Sequence, residues 1–156
     1  PEKVGVGAIK YIILKSEPMN DINFSWEYAL SFEGNTGPYL QYTFARASSI
    51  LRKSKNFNKG NSKINLDKYE FENPEISLIK KILDFPEIIK KSEKSLNPSI
   101  IANYSFELSK LFNEFYHSCQ VLNSKQESFR LRLIDSFRTT LKNSIHLLGI
   151  EVMEEM

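Results

Sequence analysis

Tyr39, Tyr42, Arg46, Ser49 and Lys53 follow one another at steps of three, four, three and four. On a helix those steps bring two aromatic rings, two cations and a hydroxyl onto one face. Leu40, Thr43, Phe44, Ala47, Ile50 and Leu51 fall on the opposite side, as an apolar face that must be buried. Cations can meet phosphates and flat rings can stack on unpaired bases, so the polar face suits single-stranded or loop RNA. The charge of the surrounding sequence points the same way. No Asp or Glu occurs from Gly34 to Leu66, a stretch that carries Arg46, Arg52, Lys53, Lys55, Lys59 and Lys63. By pattern alone an ordinary solvated helix face, with half-buried tyrosines and wet hydroxyls, accounts for the same residues, and both readings stand at this point.

The other residues able to do chemistry offer less. His117 and Cys119 lie two apart, but His146 completes no metal-ligand spacing with them, and no acid nearby in sequence would orient a Cys–His pair. No catalytic set and no metal set is therefore assigned. Gly5-x-Gly7 lacks the third glycine and the preceding strand of a dinucleotide loop, and close helix packing explains it better. Asp135 and Arg138, three apart, read as an ion pair on one helix.

These residues must be positioned by helices. Apolar residues recur at three and four, not at two, and Gly and Pro are few, with prolines marking the joints. The expected elements are a helix over 4–15 stopped by Glu17-Pro18, a short aromatic stretch over 24–32, and a helix from Pro38 to about Lys53. Three more helices are opened by Asn73-Pro74, Asp84-Phe85-Pro86 and Asn97-Pro98. The third of these carries Ile101, Tyr104, Leu108, Leu111 and Phe115 as one stripe. The last runs from about Lys125 to Leu148, with Phe129, Leu133, Phe137, Leu141 and Ile145 at steps of four and Gly149 as its stop. The fold class is all-α, a helical bundle. The polar passage over 54–73 is expected to be a mobile connection inside a single domain of residues 1–156, and the acidic tail Glu151–Met156 is expected to fray.

The chain has 156 residues, 41% hydrophobic and 26% charged, enough for one core and too few for several. A net charge of +2 confines any polyanion site to a local cluster of basic residues. The single cysteine, Cys119, fits a reducing, cytoplasmic setting. No apolar run approaches the roughly 20 residues of a membrane-spanning helix.

Several segments together resemble one family, the arginyl-tRNA synthetases of class I, over their C-terminal anticodon-binding part. The resemblance is carried by Val4-Gly5-Val6-Gly7-Ala8-Ile9-Lys10-Tyr11, by Phe24-Ser25-Trp26, and most specifically by Phe32-Glu33-Gly34-Asn35-Thr36-Gly37-Pro38-Tyr39-Leu40-Gln41-Tyr42. It continues through Leu111–His117, Arg130–Asp135 and Leu147–Glu151, with Asp135-Ser136-Phe137-Arg138 where the Asp-Ala-Leu-Arg signature of this domain type stands. The resemblance implies an all-helical domain of the class I anticodon-binding type, in which Tyr39, Tyr42, Arg46 and Met156 lie against the anticodon region of arginine tRNA; on the reading of the helix face itself, Arg46 and Lys53, with Arg52 as a further candidate, would contact phosphates. It also implies a parent enzyme, monomeric and cytoplasmic, that ligates arginine to its tRNA with ATP and magnesium. The HIGH-like and KMSKS-like motifs of that chemistry do not occur in these residues, so the implied catalytic domain lies upstream of Pro1 and residues 1–33 form the junction with it. By itself the chain would position tRNA and not charge it, with no cofactor of its own. In the family an aromatic side chain can occupy the loop before the last helix, near Gln120; here the loop, Gln120 to Ser128, is shorter and has no aromatic before Phe129. The alternative from another class is a helical module that docks the same basic face onto an acidic protein.

Overall fold

A computed structural model describes residues 2–54 and 69–156. Among the described residues the chain forms seven helices and no strand: α1 (Glu2–Leu14), α2 (Trp26–Ala29), α3 (Gly37–Lys53), α4 (Asn73–Leu83), α5 (Phe85–Ser95), α6 (Ser99–Ser118) and α7 (Glu127–Leu147). α3, α6 and α7 pack on one another at the centre; α1 crosses α3, and α4 and α5 flank α6.

The core lies where the apolar faces of the central helices converge. Phe112 of α6 and Phe137 of α7 stack face to face with ring centroids 4.0 Å apart, beside the buried Leu40, Phe44, Leu108, Phe115, Leu141 and Ile145. The stripe expected on α6 is buried except at Leu111, which is only partly covered, as is Phe129 on α7. On α7 a four-residue step advances about 40° beyond a full turn, so the four steps from Phe129 to Ile145 cannot all face one way. Leu131 and Ile134 complete the buried face of α7 instead.

Helix ends follow local chemistry. Thr36 caps α3, its Oγ1 accepting from Tyr39 N at 3.2 Å and donating to Ser31 O at 2.6 Å, and Pro38 fills the first turn where no N–H is needed. α4 corrects the expected cap: Glu72, not Asn73, precedes it, and Glu72 and Glu75 form a reciprocal capping box. At α6, Asn97 Oδ1 accepts from Ser99 N, and the Glu17 carboxylate, brought in from the turn after α1, reaches Asn97 Nδ2 at 2.6 Å and Ser99 Oγ at 3.3 Å. That carboxylate also faces the positive end of the α6 dipole.

α1 and α3 cross at contact distance because both carry glycine there. A Cβ on Gly37 would lie 2.6 Å from Gly7 O, and one on Gly7 would lie 3.0 Å from the Gln41 side chain. Gly5 has open space around it, so the packing role expected of the Gly5-x-Gly7 pair belongs to Gly7 and Gly37. Tyr11 then ties α1 to α6: its buried hydroxyl lies 2.9 Å from Ala102 O and 2.5 Å from Asn35 Oδ1.

The tail and the far end of the connection depart from what the sequence led one to expect. Residues 55–68 of the passage expected to be mobile lie outside the described residues, but 69–73 are part of the packed structure. Tyr69, Phe71 and Phe129 form an aromatic cluster, and Glu72 and Glu75 both pair with Arg130 of α7. The tail Glu151–Met156 does not fray. Gly149, at φ 68°, ends α7 in a Schellman turn, with Ile150 N donating to Ile145 O and Gly149 N to His146 O. The reversal sends the tail back across α1 and α3, where Gln41 Nε2 donates to Glu151 O at 2.8 Å and Lys3 pairs with Glu151 at 2.7 Å.

Candidate nucleic-acid interface

The outer face of α3 is where the expected residues come together. The Thr36 cap sets the register of the helix, and burial of Leu40, Phe44, Ala47, Ile50 and Leu51 turns Tyr42, Arg46 and Ser49 outward. Tyr42 is 41% exposed, its ring set edge-on to Phe32 at 6.3 Å. Tyr42, Ala45, Arg46, Ser49 and Arg52 form one wall of a shallow groove of about 390 Å³, and Glu155 and Met156 of the returning tail form the other. Thus Met156, 110 residues beyond Arg46 in sequence, lies at the same groove.

Tyr39 plays a different part from Tyr42. Its ring is half-buried, edge-on to Phe106 at 5.7 Å, and its Oη accepts from Asn113 Nδ2 at 2.7 Å. Asn113 Oδ1 in turn accepts from Arg46 Nη1 at 3.4 Å, and the Arg46 guanidinium lies 4.9 Å from the centroid of the Tyr116 ring. Tyr39, Asn113 and Tyr116 therefore hold Arg46 from behind, on α3 and α6 together. Among the described residues no carboxylate pairs with Arg46, whose charge stays available to an anion. Lys53 is exposed in the last turn of α3, next to the groove but not lining it, and its charge also complements the negative end of the helix dipole.

Asn113 and Tyr116 were quoted above for resemblance alone; their three-residue spacing on a helix was the available signal for a shared role. Glu154 and Glu155 had no such signal, because their nearness to α3 depends on the reversal at Gly149. Arg52 Nη1 donates to Glu154 O at 3.0 Å and lies 3.8 Å from Glu154 Oε2, Arg52 Nη2 lies 3.5 Å from Glu155 Oε1, and Arg138 Nη1 lies 3.7 Å from Glu154 Oε2. The tail thus brings carboxylates to a stretch that contains none in sequence. Arg138 also keeps the expected pair with Asp135, at 3.0 Å.

Cys119 is buried against Glu72, its Sγ 3.6 Å from Glu72 Oε2; burial, with the Glu72 charge, pushes the thiol up to about 11. It is a neutral thiol at ordinary pH, unsuited to nucleophilic work. Among the described residues no three His, Cys, Asp or Glu side chains are grouped to hold a metal, and no helix is long and apolar enough to cross a membrane.

The described residues form an all-helical bundle with cationic and aromatic side chains along one groove. Residues 40–156 match the DALR anticodon binding domain, and the chain belongs to that family. It is 41% identical over 157 residues to the arginine–tRNA ligase of Ligilactobacillus salivarius and 44% identical over 157 residues to that of Streptococcus agalactiae, each match covering 99% of this chain and 27% of the relative. Its fold superimposes on the arginyl-tRNA synthetase of Thermus thermophilus with a TM-score of 0.89 at 34% identity, covering 99% of this chain and 27% of that one. The chain therefore spans about a quarter of the length of the ligases it matches, over their anticodon-binding domain, and nothing in the comparisons favours the alternative of a module docking an acidic protein.

Proposed function

We propose that the α3 groove receives the anticodon loop of arginine tRNA and positions that tRNA for ATP-dependent ligation of arginine. One observation carries the reading: the exposed ring of Tyr42 stands beside a guanidinium, Arg46, that is fixed by Asn113 and Tyr116 and has no carboxylate partner among the described residues. Arg46 and Lys53 supply phosphate contacts, Tyr42 supplies a ring for an unstacked base, and Met156 closes the groove on the far side. Tyr39 acts mainly by holding Asn113, and so Arg46, in place.

In the parent ligase, ATP and magnesium are used by a catalytic domain outside this chain. The apolar side chains left outward on α1 and the segment after it, among them Val6, Ile9, Ile13, Phe24 and Trp26, form the surface on which that domain rests. The parent enzyme works in the cytoplasm as a monomer. In the intact ligase, Tyr42→Ala and Arg46→Ala should each weaken tRNA binding by about 5- to 100-fold, the range of a lost base stack or charged contact. They should lower charging at limiting tRNA and leave the fold unchanged by circular dichroism. Unaltered binding in both variants would exclude this face.

A further inference from the structure

We propose that Arg52 is a phosphate-binding residue of the groove, and that the tail carboxylates Glu154 and Glu155 are its resident counter-ions, which RNA phosphate displaces on binding. The inference rests on the groove being the RNA-binding face. Arg52 lines the groove with Tyr42 and Arg46, yet it differs from Arg46 in one respect: its guanidinium already faces Glu154 and Glu155, at 3.8 and 3.5 Å. An RNA phosphate entering beside Arg46 meets Glu155 on the opposite wall and Arg52 behind it. Two anions cannot share that space without repulsion, so the carboxylates must swing out before Arg52 can bind the phosphate.

The pairs are built to exchange. Arg52, Glu154 and Glu155 keep 45%, 58% and 81% of their side-chain surface, and ion pairs so exposed contribute only about 0–1 kcal/mol each. The base of the tail is held differently. Gln41, fully buried, donates to Glu151 O; Lys10 Nζ donates to Gly149 O at 2.6 Å; and Val152 packs against the core. The Glu155 carboxylate can therefore leave Arg52, and the Glu154 carboxylate can turn wholly to its second partner Arg138, at 3.7 Å, while the tail stays tethered next to the groove. As a tethered competitor, the tail lowers affinity for nonspecific polyanions and reduces the small ions released when RNA binds, because one of the cations carries a protein counter-ion beforehand.

The test is a binding cycle in the intact polypeptide with an anticodon stem-loop RNA of arginine tRNA as probe, read by fluorescence anisotropy across a salt series. Glu154→Gln with Glu155→Gln should tighten binding by about 3- to 10-fold at low salt, the size of one or two exposed ion pairs. The slope of log Kd against log salt should steepen by about 0.7 to 0.9, the share of one phosphate. Arg52→Gln alone should change affinity by less than about twofold, since its charge is already matched. Added to the double variant it should abolish the gain in affinity and in slope. Glu87→Gln, an exposed carboxylate of α5 paired with Lys90, should leave both quantities unchanged. A gain that survives Arg52→Gln is general electrostatics, and it overturns the exchange, as does no gain at all. If Arg46→Ala weakens binding while the cycle shows no coupling, this inference alone fails; if Arg46→Ala and Tyr42→Ala both bind as the wild type does, the assignment of the groove fails with it.

Discussion

Removing the carboxylate of Glu75 should be among the most damaging single changes in the protein, although Glu75 does not line the α3 groove. Glu75 is fully buried, and both of its oxygens are in use: Oε1 accepts from Tyr69 Oη at 2.6 Å and Arg130 Nε at 2.8 Å, and Oε2 accepts from Glu72 N at 2.8 Å. Arg130 is likewise buried and also binds Glu72 and Gln120 O. Burial by itself would lower the Arg130 pKa, but its hydrogen bonds to Glu75 and Glu72 outweigh that, so the guanidinium stays charged. In Glu75→Gln the amide oxygen can replace only one carboxylate oxygen, and the amide NH₂ must then face another donor. Breaking one buried contact of this kind costs about 1–3 kcal/mol, and the lost charge brings the total to about 3 kcal/mol. Arg130→Met strands the Glu75 carboxylate in the core and should cost about 3–5 kcal/mol. The double variant should cost less than the sum, by about 2 kcal/mol or more, because each single change pays for the partner left behind. Glu72→Gln is the internal control: its side chain is 49% exposed, so the same change should cost below about 1 kcal/mol. Urea unfolding followed by far-ultraviolet circular dichroism measures all four. Strict additivity of Glu75→Gln and Arg130→Met, or a Glu72→Gln cost equal to that of Glu75→Gln, would refute burial as the reason for the network's importance.

Three further outcomes follow from the same structure. Gly37→Ala should destabilise by about 1–3 kcal/mol or more, since its Cβ would meet a backbone oxygen at 2.6 Å, while Gly5→Ala, in open space inside a helix, should be neutral or stabilise by about 0.5–1 kcal/mol; thermal melts separate the two. Thr36→Ala should cost about 1 kcal/mol through loss of the α3 cap, and Thr36→Ser should restore most of it in the same assay. The Cys119 thiol should titrate near 11 in the folded protein, by thiolate absorbance, against 9.0 when unfolded. Because the native thiol then holds its proton to higher pH, its contribution to stability is complete below about pH 9 and is lost as pH rises through about 11, and alkylation near neutral pH should run about 100-fold slower than in the unfolded chain.

The helices and the inner face of α3 were legible because they depend on local signals. Steps of three and four marked Leu40, Phe44, Ala47 and Ile50, prolines marked the starts of α3, α4 and α5, and Gly149 marked the end of α7. Tyr42 and Arg46 were legible for the same reason, as neighbours on one helix face. The misreadings concern segments whose state depends on distant partners. The tail, acidic and short, carries no local signal for order; it is held by Lys3, Gln41, Arg52 and Arg138, from three different helices. Residues 69–73 look like loop, yet Tyr69 and Glu72 are held by Glu75 and Arg130. Gly37 stands just before the expected start of the helix at Pro38, and its closeness to Gly7 O exists only once α1 crosses α3.

The sequence by itself determined an all-helical chain, a cationic and aromatic face on α3 and the family that such a chain belongs to, since periodicity, capping and motif order are properties of neighbouring residues. The tertiary structure alone decided how the face is divided. It made Tyr39 a support and left Tyr42 exposed, it gave Arg46 the backing of Asn113 and Tyr116, and it supplied Arg52 with carboxylates from the far end of the chain. The physical reason is that charge and burial act through space. A helix face acquires its working electrostatics only when the other helices and the returning tail are in place.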